Sequence, residues 1–127
     1  MSWSFWVPNP GTFENILQKI KEVSGLKHLR VVKSSSTSYR NDGDIIVGVG
    51  AAFRNVDLHD CMLITGEMSH HDLLKCKFSG VDVIMMEHSN SERIFLGELK
   101  RQLECDDEMD EFDVIISEND SDPVSIV

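Results

Sequence analysis

The first helix is predicted by apolar residues that recur with helical spacing. They follow the i, i+3, i+4 and i+7 rule, and they are Phe13, Ile16, Leu17, Ile20 and Val23. Thr12 precedes them as a capping residue, and Gly25 follows where helices often end in the left-handed conformation. The pattern therefore predicts an amphipathic helix between Thr12 and Gly25.

Short apolar runs bounded by turn residues predict the strands. The runs occupy His28–Lys33, Asp44–Gly50, Met62–Ile64, Val81–Glu87 and Phe112–Glu118. Between the first two runs, Ser34–Gly43 is rich in serine, whose side chain bonds to nearby backbone. This segment is therefore predicted to be a polar loop.

Two further helical patterns lie between the later strands. One covers Ser69 to Phe78 and stops at Gly80, and a longer one extends from about Ser89 to Leu103. Helices of this length that alternate with short apolar strands are typical of α/β domains. We therefore expect an α/β fold with a mixed, largely parallel sheet flanked by helices.

The acidic composition argues against two classes of binding partner. The chain has 127 residues, a net charge of -10 and a pI near 4.8, which argues against direct binding of nucleic acid or of an anionic membrane surface. Part of the acidity lies in Glu104–Asp113, with seven carboxylates. We interpret about 104–111 as a solvated acidic loop.

Cysteine usage and the absence of targeting patterns favour an intracellular protein. Cys61, Cys76 and Cys105 are widely spaced and form no CxxC pair, as is typical of reduced thiols. No run approaches the ~18 apolar residues of a membrane span, and the N-terminus has no basic region of a signal peptide. We expect a cytoplasmic location, with the nucleus as an alternative.

Metal-binding residue types cluster where strands are predicted to meet helices, the usual ligand position in α/β folds. They are His70, His71, His88 and Glu92. Imidazole and carboxylate suit zinc, manganese or iron. His88 and Glu92 are four residues apart, so they can converge on one ion, although zinc usually needs three or four ligands.

Helix capping is the competing interpretation of the same residues. Ser89 and Glu92 have the spacing of a capping box, and Ser69 and Asp72 nearly repeat it. Spacing alone favours capping over metal binding. Adjacent helical residues point about 100° apart, so His70–His71 is a poor ligand pair. The sequence also lacks a G-x-S-x-G elbow, a catalytic cysteine signature and a P-loop.

Three strings carry a resemblance to a known family. They are "LITGEMSHHDLL", "GVDVIMMEHSNSERIFL" and "ISENDSDPV", and weaker similarity runs through "ILQKIKEVSGLKHLRV". Together they resemble the C-terminal half of eukaryotic Nif-three-like proteins, a group also called GTP cyclohydrolase I type two-like. The resemblance implies that residues 1–127 form one α/β half-domain of that family.

The resemblance also implies a metal site. Family members have two related halves around a cleft that binds two divalent ions, and many form ring-like oligomers built from dimers. The motif matched by "HSNSE" supplies two ligands, which implies that His88 and Glu92 bind metal. The family's other ligands, a histidine pair and an aspartate, belong to the N-terminal half. His71 matches a recurring histidine of the C-terminal motif and is our candidate catalytic proton carrier.

Two departures from the family pattern affect these expectations. The chain matches only the second half, so completion of the site is expected to need the N-terminal half or a symmetry-related subunit in a homo-oligomer. Ala51, Ala52 and Phe53 stand where the family usually has small polar residues. This weakens the expectation of a phosphate or oxyanion seat at that turn.

Two functions therefore remain open. The first is a metal-dependent, hydrolase-like protein whose substrate is unknown, with a nucleotide or another phosphorylated small molecule as the suggested class. The alternative is a non-catalytic interaction module with protein partners, linked to transcriptional regulation. Trp3, Phe5 and Trp6 are expected to pack onto the missing half or a symmetry mate.

Overall fold

A computed structural model describes residues 11–35, 44–55, 57–125 and 127, and helices alternate with strands in it. The elements are α1 (Phe13–Ser24), β1 (Arg30–Val32), β2 (Ile45–Val47), β3 (Met62–Thr65), α2 (His70–Phe78), β4 (Asp82–Met85), α3 (His88–Arg93), α4 (Leu96–Glu104) and a short 3-10 helix (Asp107–Met109). Trp3, Phe5, Trp6 and most of the predicted loop Ser34–Gly43 lie outside the described residues.

The strands form one mixed sheet in the order β1-β4-β3-β2. Strands β2, β3 and β4 are parallel, and β1 pairs with β4 in the antiparallel sense. The predicted α/β fold with a mixed, largely parallel sheet is therefore confirmed. Because the carboxyl ends of parallel strands share one edge, the segments after β2, β3 and β4 are brought together there.

Both faces of the sheet are covered, which explains the continuous apolar runs of β3 and β4. On one face, Met62 and Ile64 pack with Phe13 and Ile16 of α1. On the other face, Leu63 packs in a cluster with Cys76 of α2. The two clusters alternate along each strand, as expected from the two-residue period of a strand.

The predicted caps of α1 are confirmed. The Thr12 side chain accepts a hydrogen bond from the Asn15 N–H at 3.2 Å, and Gly25 has φ 70° with its N–H donating to the Lys21 carbonyl at 2.9 Å. Val23 departs from the predicted apolar face because it is 63% exposed. Within the described part of the chain, no helix has the length and apolar content that a bilayer crossing needs.

The prediction of one long helix from Ser89 to Leu103 is wrong in its continuity. The structure has two helices, α3 and α4, separated by a turn at Ile94 and Phe95. Ile94 packs against the core, whereas Phe95 is 53% exposed. Gly97 lies in the first turn of α4 and lowers helix propensity by about 1 kcal/mol relative to alanine, which weakens the helix at this junction.

The prediction of a strand at Phe112–Glu118 is also wrong. This segment has no strand pairing among the described residues, and it lies along α4 instead. Val114 and Ile116 are half-buried, while Ile115 between them is 84% exposed. Lys100 donates to the Val114 carbonyl. This side-chain hydrogen bond takes the place of the backbone hydrogen bond that a neighbouring strand would have made.

Candidate metal-binding site

His88 is carried to the carboxyl edge of the sheet by a sharp turn after β4. The turn residue Glu87 has φ 69°, a conformation that is uncommon for residues other than glycine. Its side chain is buried and accepts a hydrogen bond from the Arg30 guanidinium of β1 at 3.2 Å. Helix α3 begins immediately afterwards, with His88 as its first residue.

The structure brings the two predicted metal ligands together. His88 Nε2 lies 3.3 Å from Glu92 Oε1, and both side chains are about half exposed, at 48% and 52%. The four-residue spacing on α3 produces this contact, as the helical geometry predicts. The pair can therefore act as two donors to one ion from the solvent-accessible side of the sheet edge.

A second carboxylate, which spacing did not identify, contacts the other ring nitrogen. Glu67 Oε1 lies 2.7 Å from His88 Nδ1. The hydrogen bond to Glu67 raises the pKa of His88, and the nearby charge of Glu92 raises it further, against the opposing effect of burial. The two carboxylates therefore favour the protonated ring.

Gly50 leaves the space into which this pair projects. A Cβ atom at Gly50 would lie 2.9 Å from Glu92 Oε1 and 3.1 Å from His88 Nε2, and the residue has φ 59°. Its N–H donates to Ser91 Oγ at 2.8 Å, and the same hydroxyl donates to the His88 carbonyl at 2.7 Å. Ser91 is buried, and its hydrogen bond with Gly50 connects the loop after β2 to α3.

The two predicted capping boxes have different outcomes. At α2, Ser69 Oγ accepts from the Asp72 N–H at 3.2 Å and donates to the Asp72 carboxylate at 2.6 Å. At α3 the box is not formed, because the helix starts at His88 and not after Ser89. The Ser89 N–H instead donates to the Asp122 carboxylate at 3.0 Å, which leaves Glu92 available for the contact with His88.

His70 and His71 lie at the start of α2, and both are exposed. Their rings make an edge-to-face contact with centroids 5.8 Å apart. Among the described residues, no hydrogen bond or ion pair connects either ring to His88 or Glu92. The role of His71 as a catalytic proton carrier stays a prediction.

The described residues contain no group of three or more His, Cys, Asp or Glu side chains that could hold a metal ion. The reason is the placement of the two carboxylates around the His88 ring. Glu67 contacts Nδ1, while Glu92 contacts Nε2 on the opposite side of the ring, so the three side chains do not converge on one point. The free thiols of Cys61 and Cys76 are buried in the core, away from this edge.

A cleft of about 460 Å³ is lined by Glu67, the residue that contacts the His88 ring. Its other lining residues are Ala51, Phe53, Arg54, Asn55, Met68, Ser69 and Asp72. Phe53 is buried in the core, and the Gly50 N–H is already bonded to Ser91. The turn therefore offers an apolar wall to the cleft, in agreement with the missing small polar residues.

These features define an α/β protein with a polar site at the carboxyl edge of a parallel sheet. The chain belongs to the Duf34/NIF3 (NGG1p interacting factor 3) family, whose model matches residues 1–123. The family resemblance of the sequence is thereby confirmed.

Individual relatives agree with this assignment. NIF3-like protein 1 of Mus musculus is 37% identical over 123 residues, which cover 88% of this chain and 30% of that protein. GTP cyclohydrolase 1 type 2 of Helicobacter pylori is 36% identical over 84 residues, which cover 65% of this chain and 33% of that protein. The chain thus spans about a third of the length of these relatives.

The fold also matches a solved structure. The Staphylococcus aureus protein SA1388 superposes with a TM-score of 0.66 and 26% identity, over 96% of this chain and 40% of that one. The similarity shows that this solved protein shares the backbone fold over nearly the whole of the present chain.

Proposed function

We propose that this chain supplies part of a divalent-metal centre in a hydrolase-like protein, with His88 and Glu92 as ligands. The observation that supports it is the 3.3 Å separation of His88 Nε2 and Glu92 Oε1. Two ligand atoms that each lie ~2.0–2.1 Å from a tetrahedral zinc ion are about 3.3 Å apart. The pair already has the spacing that a shared ion would impose.

Zinc, manganese and iron are the candidate ions, because one imidazole and one carboxylate suit all three. A bound divalent ion would supply hydroxide at neutral pH and stabilise charge on an attacked oxygen, and two ions would do so together. The remaining ligands would come from outside the described residues, either from another part of a longer protein or from a symmetry-related subunit. A homo-oligomer is therefore part of the proposal.

The substrate would occupy the cleft beside Glu67, where Arg54 is the cationic lining residue. The proposed substrate class is a nucleotide or another phosphorylated small molecule, and the name of the Helicobacter pylori relative supports a nucleotide. His71 is proposed as the proton carrier at the start of α2, next to the cleft residues Ser69 and Asp72.

Metal titration tests the proposal directly. Zinc, manganese and ferrous iron are titrated calorimetrically into the chain, with His88→Ala and Glu92→Ala as variants. Each variant is expected to lose at least about tenfold in affinity, because removal of a ligand should cost no less than removal of a ligand's hydrogen-bond partner, which typically costs about 10–100-fold. His59→Ala is the matched control, since His59 is an exposed histidine whose ion pair among the described residues is with Asp57. Unchanged affinity in both ligand variants would refute the assignment.

The alternative, a non-catalytic interaction module, is supported by exposed apolar side chains along α4 and the segment that lies on it. Phe95, Phe112 and Ile115 are 53%, 64% and 84% exposed. The family description, NGG1p interacting factor 3, supports protein partners. A link to transcriptional regulation is part of this alternative proposal. Ile115→Glu is expected to weaken self-association or partner binding in sedimentation experiments. Phe78→Glu, at an exposed site on α2, is the control.

A further inference from the structure

Glu67 is held in place by its backbone at the edge of the sheet. It lies two residues after the end of β3, and its N–H donates to the Gly50 carbonyl at 3.0 Å. The preceding residue, Gly66, is packed so closely that a Cβ atom there would lie 2.5 Å from Ser91 Oγ and 2.6 Å from the Gly50 oxygen. The loop that carries Glu67 therefore has little freedom to move away from α3.

The two contacts of the His88 ring differ in length. Nδ1 lies 2.7 Å from Glu67, whereas Nε2 lies 3.3 Å from Glu92. The shorter distance is that of a charge-assisted hydrogen bond, and the longer one exceeds the usual range. A neutral imidazole has one N–H, so the geometry assigns that proton to Nδ1.

This assignment leaves two electron-pair donors facing each other. With the proton on Nδ1, the lone pair of Nε2 points towards the Glu92 carboxylate. Such an arrangement is unfavourable unless a cation lies between the two donors. A second proton, bound to Nε2, can be that cation. A divalent ion bound between Nε2 and the Glu92 carboxylate would have the same effect.

We propose that Glu67 is a positioning residue that holds the proton on Nδ1 of His88 and thereby commits Nε2 to metal binding with Glu92. A histidine ligand commonly donates its other ring N–H to a carboxylate in this way. The metal-binding half of the statement rests on the proposed function. The tautomer and the ring orientation do not, because both follow from contacts within the chain.

Nitrogen NMR of the His88 ring in the metal-free chain tests the inference at alkaline pH. The wild-type chain is expected to show the Nδ1–H tautomer, and Glu67→Ala is expected to shift the ring towards the Nε2–H form. Glu67→Gln should retain the wild-type tautomer, because the amide oxygen can still accept from Nδ1. Asp72→Ala, which removes another carboxylate of the same cleft, should leave the tautomer unchanged.

Zinc titration of the same variants provides the second measurement. Glu67→Ala should bind zinc about 10–100-fold more weakly than the wild-type chain, the usual effect of losing such a partner. An Nε2–H tautomer in the wild-type chain, or an unchanged tautomer in Glu67→Ala, overturns the inference. If the tautomers are as expected but the wild-type chain does not bind zinc, the proposed function fails and the positioning role of Glu67 stands.

Discussion

Asp122 caps the helix that carries the proposed ligands, and its removal should destabilise the protein. One carboxylate oxygen accepts from the N–H groups of Ser89 and Asn90, at 3.0 and 3.4 Å. These N–H groups lie in the first turn of α3 and have no partner within the helix. Asp122 thus performs, from 33 residues away in sequence, the function of an N-cap side chain.

The size of the effect follows from that role. Replacing a capping side chain by alanine typically costs about 1 kcal/mol. An unfolding entropy of about 2.1 cal/mol/K per residue gives roughly 0.27 kcal/mol/K for a chain of this length. The Asp122→Ala variant should therefore unfold about 4 °C below the wild-type chain. Asp122→Asn, which keeps an acceptor oxygen, should lose less.

Thermal unfolding followed by circular dichroism distinguishes this view from the capping box that the sequence suggests. The box predicts that Ser89→Ala is destabilising, whereas the structure predicts a near-neutral effect, since Asp122 supplies the acceptor. Ser69→Ala is the positive control, because its side chain does cap α2. A larger loss for Ser89→Ala than for Asp122→Ala would refute the reasoning.

Three further outcomes are expected. Gly50→Ala should lower stability by about 1 kcal/mol or more, because φ is 59° and the new Cβ would meet Glu92 and His88; urea titration measures it. Iodoacetamide should modify Cys105 in the native chain but not Cys61, where burial raises the pKa of the thiol to about 11; mass spectrometry measures it. Proton NMR should give His88 a pKa above 6.5. Because the folded pKa is the raised one, the stabilisation is complete below pH about 6.5 and is lost as pH rises through the folded value.

The sequence predicts the elements of this fold well where a single face or a buried strand decides them. The apolar spacing in α1 and the short runs of β3 and β4 have one simple solution, because each must be buried. The run at Phe112–Glu118 is equally apolar, yet it pairs with no strand in the described residues. The segment instead accepts a hydrogen bond from Lys100 of α4. Periodicity along the chain cannot predict a contact of this kind between two separate segments.

In the candidate site, too, contacts within one helix are predictable from the spacing of residues in the sequence and contacts between separate elements are not. Spacing predicts the contact between His88 and Glu92, since both lie on one helix. Their proposed role as metal ligands comes from the family resemblance, because spacing alone favours helix capping. Glu67 lies 21 residues away from His88 in sequence, and only the parallel pairing of β3 with β4 brings it alongside. The available signal was a carboxylate three residues beyond the end of the predicted buried strand Met62–Ile64. It could have been identified from the rule that places ligands at the carboxyl ends of parallel strands.

The position of the segment Phe112–Glu118 along α4 also explains why α3 is capped by a residue distant in sequence. Lys100 and Arg93 hold the segment after the acidic loop against α4 and α3, through the carbonyls of Val114 and Ser117. Arg93 also pairs with Asp120, which leaves Asp122 at the first turn of α3. If the segment left α4 to pair with another strand, it would lose these contacts and the cap together. The position of His88 is therefore coupled to that segment, so Asp122→Ala should weaken zinc binding without removing a ligand.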